Sequence, residues 1–145
     1  MRRICALVVA AVVMGACSGG GTSSSSTTVA STARQAGALA AARACRMWSE
    51  VANPALHAAP LSPTQAAPYD AKSAAIATMA NTASSDDPTW NNLATDVAGA
   101  NDFASAALPD INNRIVTDCQ HLPAGVVKTV GAEPDPFSTT STTAP

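Results

Sequence analysis

Between Arg34 and Leu122, 24 of the 89 residues are alanine and only 18 are larger apolar or aromatic side chains. Alanine is the strongest helix former and gives up no rotamer freedom on burial. A stretch so rich in it is expected to form helices whose backbones approach closely. Each alanine contact removes little apolar area from water, so the core is expected to be thin and to need support from elsewhere. The predicted fold class is all-α, a small up-down bundle of about four helices.

The spacing of the larger residues supports this. In "RQAGALAAARACRMWSEVA", Ala38, Ala41, Cys45, Trp48, Ala52 and Ala55 share one stripe at helical spacing, with Arg43, Arg46 and Glu50 off it. Asn53 precedes Pro54, which predicts a helix end there. "LSPTQ" has the order of a capping box, Ser62 with Gln65 three residues on and Pro63 between. Pro68 should break the helix after one turn, and a second helix is expected from Tyr69 to Thr82, packing Tyr69, Ile76, Met79 and Ala83. Asp87 and Pro88 are a candidate N-cap and first position for a third helix, with Trp90, Leu93, Val97, Ala100, Ala104 and Leu108 as its stripe. Pro109 or Asp110 opens a fourth, in which Ile111, Ile115, Cys119 and Leu122 share a face. Only the short "GVVKTV" alternates like a strand, and it has no evident partner.

Outside this block the composition changes. "SGGGTSSSSTTVASTA", Ser18 to Ala33, has no charge and one large apolar residue, too little burial to offset the entropy of ordering. It reads as a flexible tether spanning ~20 to 24 Å, and its Ser/Thr content suits O-linked sugars. "EPDPFSTTSTTAP" after Gly131 has the same bias and reads as part of a disordered tail.

The chain opens with Arg2 and Arg3, an apolar run from Ile4 to Met14, and the small pair Gly15 and Ala16 before Cys17. This is the charged, apolar, small-residue order of a secretory signal, and the run is about half the ~20 residues a spanning helix needs. Met14-Gly15-Ala16-Cys17 resembles the lipobox of bacterial lipoprotein precursors. The resemblance covers the first 17 to 20 residues, and Met14 departs from the family's usual leucine. It implies cleavage before Cys17, a diacylglyceryl group on its thiol and an acyl chain such as palmitate on the new amino terminus. Two or three chains give stable membrane anchoring where one is marginal. The Ala/Thr/Ser bias and scarce lysine further resemble small lipoproteins of actinobacteria such as mycobacteria, a likeness of composition alone.

Given that resemblance, Cys5 leaves with the signal and Cys17 carries lipid, so Cys45 and Cys119 remain. In an oxidising compartment the two are expected to pair. A ring of roughly 75 residues contributes ~4.5 kcal/mol by chain entropy, a large share of a typical ~5 to 15 kcal/mol. Arg2 and Arg3 also leave, so six basic and ten acidic residues remain, a net charge of −4. That offers no patch for nucleic acid and little for an anionic lipid surface.

The expected organisation is therefore a signal peptide over 1–16, a lipidated Cys17 with its tether over 17–33, a helical domain over 34–123 and a disordered tail over 124–145. Chemistry is sparse. His57 and His121 stand at no metal-ligand spacing, and a bridged Cys119 removes a thiolate from Cys119-Gln120-His121. Asp86 and Asp87 lack the alternating pattern of a calcium loop. Gly-x-Ser-x-Gly, phosphate-loop and HExxH motifs are missing. The expected role is a non-catalytic binding or interaction module of the envelope, without cofactor, held to the membrane and facing an envelope protein partner. The alternative is a small-ligand carrier with Trp48, His57, Tyr69 and Trp90 lining its site, and His57 or Tyr69 as an axial haem ligand.

Overall fold

In the computed structural model the described residues are 24–57, 61–135 and 137, with side chains from residue 29 onward. The signal at 1–16, Cys17 and residues 18–23 of the tether lie outside them, as do residues 138–145 of the tail. Five helices follow in order: α1 Ser24–His57, α2 Pro63–Asp86, α3 Asn91–Gly99, α4 Leu108–Cys119 and α5 Ala124–Gly131, with a 3-10 turn Pro88–Trp90 before α3. Among the described residues there is no strand, and no helix is long and apolar enough to cross a membrane.

The expected stripe of α1 is buried at every position, from Ala38 to Ala55, and Ala40, Ala44, Met47 and Val51 are buried as well. A helix apolar over more than one stripe is a central one, and α1 touches α2, α4 and α5. Its contact with α2 is the most extensive in the molecule. Small residues make that contact possible, Ala41 and Ala44 on α1 and Ala80 and Ala83 on α2 being fully buried. At Gly37 the approach is closer still: an added Cβ would lie 2.9 Å from the Asp87 Cβ and 3.1 Å from the Ala83 carbonyl oxygen. The middle of α1 thus meets the end of α2, and the two run antiparallel.

Both prolines expected to end helices are carried inside them, Pro54 in α1 and Pro68 in α2. Each removes one N–H from the ladder. The carbonyls left over belong to Glu50 and Thr64, both exposed residues, while the neighbouring Ala55 and Ala66 are buried. The expected α2 start is present: Gln65 Oε1 accepts from the Ser62 N–H at 3.0 Å and from its hydroxyl at 2.8 Å.

The third helix is shorter than its stripe implied. Asp87 caps the 3-10 turn, accepting from the Thr89 N–H at 3.0 Å, and α3 stops at Gly99. In the segment 100–107 Phe103 turns inward and Ala104 outward, because the Phe103 N–H donates to Asp70 Oδ1 at 2.8 Å and ties the segment to α2.

The boundaries expected for the domain also move. α1 begins at Ser24, ten residues inside the expected 17–33 tether, and α5 occupies the start of the expected 124–145 tail. Val130 on α5 is 2 % exposed. Beyond it Arg43 grips Glu133 through Nε and Nη2, at 2.9 and 2.6 Å, and Lys72 lies over the Phe137 ring at 4.9 Å. "GVVKTV" is helical because its apolar side has α1 to pack on, a partner too distant in sequence for its local pattern to reveal.

Candidate functional site

Cys45 and Cys119 form the expected disulfide, with Cα atoms 5.8 Å apart. It joins α1 to the last residue of α4. Three positions along α1, the Trp48 indole N–H donates to Asn112 Oδ1 on α4 at 2.9 Å, so the two helices are fastened twice.

Of the four residues expected to line a ligand site, Trp48, Tyr69 and Trp90 belong to one core and His57 stands apart from it. Trp48 packs on Phe103 and so does Tyr69, each with ring centroids 5.7 Å apart. Trp90 is 6 % exposed in the same core. His57 ends α1 and is exposed. The three aromatic rings are built into the packing of the domain, and His57 lies at its surface.

Two shallow grooves flank the disulfide, each of about 280 Å³. One runs between α1 and α5 past Leu122 and Val127, the other between α1 and α4 past Trp48 and Val116, and both include Cys45 and Ser49. Val116 and Val127 are unusually exposed for their type.

A cleft of about 480 Å³ lined by polar side chains lies between α3 and α4. Its walls follow from helical spacing: on α3 Asn92 stands one turn before Thr95 and Asp96, and on α4 Asn113 and Arg114 stand one turn before Thr117 and Asp118. Each helix therefore presents an amide, a hydroxyl and a carboxylate. Arg114 joins the walls, its Nε donating to Asp96 Oδ1 at 2.8 Å. The Thr95 and Thr117 hydroxyls donate to the carbonyls of Asn91 and Asn113 four residues back, which leaves their oxygen lone pairs as acceptors.

Asp118 is the unusual member. Its Oδ2 is buried and has no hydrogen-bond partner among the described residues. Burial holds its carboxyl above the usual range, the nearby Asp96 charge adds to this, and His121 opposes it. Among the described residues no group of three or more His, Cys, Asp or Glu side chains is placed to hold a metal ion.

The cleft was not read from the sequence, although a signal was there. "NLATD" sets Asn one turn before Thr and Asp, and "NRIVTD" sets Asn and Arg one turn before Thr and Asp, but only the packing of α3 on α4 makes them face each other. Compared with family models, curated proteins and solved structures, the chain matches none of them.

Proposed function

We propose that this chain is an exported protein anchored to the outer face of the cell membrane by lipid on Cys17, and that its helical domain is a non-catalytic binding module of the envelope. The observation that carries the reading is the Cys45–Cys119 bridge. A disulfide between two core-facing helices persists in an oxidising compartment, which is where a signal ending in Met14-Gly15-Ala16-Cys17 would deliver the chain. The two features lie far apart in sequence and point to the same side of the membrane.

The short distance from Cys17 to α1 supports a module held close to the lipid. From Cys17 to Ser24, where α1 begins, an extended chain reaches at most ~25 Å.

Intact mass of the mature protein, extracted in detergent from its native membrane with and without reductant and alkylating agent, tests the proposal. A start at Cys17 carrying acyl mass, with Cys45 and Cys119 alkylated only after reduction, is expected, together with loss of membrane retention in Cys17→Ala. An unacylated mature protein, or Cys17→Ala retained as well as the parent, overturns the anchor.

A further inference from the structure

We propose that the cleft between α3 and α4 binds a neutral polyhydroxylated ligand, a sugar of one or two rings. This rests on the reading of the domain as a binding module and names what it binds. At about 480 Å³ the cleft falls in the range of small-ligand sites. The charges on its walls decide the class of ligand. Asp96 is already taken by Arg114, so one carboxylate is left over, too little to hold a bare cation and enough to repel an anion. No large apolar side chain lines the cleft, so an apolar ligand would lie only against the carbon atoms of polar side chains and would leave their hydrogen-bonding groups unpaired.

What the walls do offer is a mixed set of hydrogen-bonding groups. The Asn92 and Asn113 amides, exposed and without a partner among the described residues, each donate and accept. The remaining N–H groups of Arg114 donate, and the Thr95 and Thr117 oxygens accept. A sugar hydroxyl does both, and a ring with several in sequence meets such alternation on both walls at once. Asp118 adds the most specific feature. A buried carboxylate oxygen with no partner is costly, and a turn of the Asp118 side chain into the cleft, where a ligand O–H would donate to it, would replace that cost with a charge-assisted bond.

The test is a ¹H–¹⁵N NMR titration of the whole mature protein in detergent micelles. The probes are glucose, galactose, mannose, N-acetylglucosamine and disaccharides of these, with calcium chloride and inorganic phosphate as the cation and anion. Saturable shifts at Asn92, Thr95, Asn113 and Thr117 with at least one sugar are expected, with a dissociation constant in the millimolar range or tighter. Asp118→Asn and Asn113→Ala should each weaken that binding by about tenfold or more while their far-ultraviolet circular dichroism is unchanged. Silence with every sugar, shifts at the cleft with calcium or phosphate alone, or sugar binding that both variants retain, overturns the proposal. The acyl mass on Cys17 is independent of these variants, so failure of the sugar site and failure of the anchored reading are told apart.

Discussion

At Gly37 two opposing effects can be weighed. Replacing glycine by alanine inside a helix gains up to about 1 kcal/mol in propensity. Here the new Cβ would meet the Ala83 carbonyl oxygen at 3.1 Å and the Asp87 nitrogen at 3.2 Å, both backbone atoms at the end of α2. Backbone cannot rotate away, so α1 and α2 must separate, and overpacking of this kind costs about 1–3 kcal/mol. Gly37→Ala is expected to lower the melting temperature by several degrees, and a rise would mean that the helices yield at no cost. Asp118 runs the other way. A carboxyl raised by burial binds its proton more tightly in the folded than in the unfolded state, so its ionisation destabilises the fold as pH rises through its folded pKa. Asp118→Asn should melt higher than the parent at neutral pH, with the gap closing below the ordinary carboxylate range. Paired melts across pH check this, and a gap independent of pH would assign the effect to shape. Neither residue was marked by its sequence context, since the fit of Gly37 is set by Asp87, fifty positions on, and the Asp96 charge that acts on Asp118 lies on α3.

Among the elements, α5 is the one held most by polar contacts. Its chief buried side chain is Val130. Two arginines of α1 secure its end: Arg43 holds Glu133, and Arg46 Nη1 donates to the carbonyls of Val130 and Glu133 at 2.8 and 2.7 Å. A guanidinium at the last carbonyls also complements the helix dipole. The bond from Arg43 holds the Glu133 carboxyl below its usual range. A depressed carboxyl stabilises above its unfolded pKa and ceases to as pH falls through its folded value, so this support is complete at neutral pH and lost in acid. Arg46→Ala and Glu133→Gln should each speed amide hydrogen exchange in α5 at neutral pH while leaving α1 and α2 protected. Unchanged exchange in α5 would show that Val130 alone secures it. The elements carrying long apolar stripes, α1 and α2, were legible from spacing. The continuity through Pro54 and Pro68 was not, because it depends on which face each proline takes, and α5 was not, because its partners lie more than 80 residues away.

In the whole molecule, about half of the buried hydrophobic residues described are alanine, and burial alone supports such a core weakly. The disulfide adds what the side chains do not. It closes a separation of 74 residues, for which the chain-entropy account gives about 4.5 kcal/mol and measured bridges commonly give about 2–4. The ring it closes contains α2, α3 and most of α4, so without it the unfolded chain regains nearly the full freedom of the domain. The double variant Cys45→Ser with Cys119→Ser is expected to melt of order 10–20 °C below the parent. Reductant should lower the parent toward the same temperature and leave the variant unmoved. The cleft provides a second readout, since α4 forms one of its walls and is fastened to α1 by the bridge and by Trp48 with Asn112. Near the reduced melting temperature the shifts of Asn113 and Thr117 should collapse before those of α1 and α2. If parent and double variant melt together, the close alanine packing of α1 on α2 suffices to hold the domain, and the bridge contributes nothing to its stability.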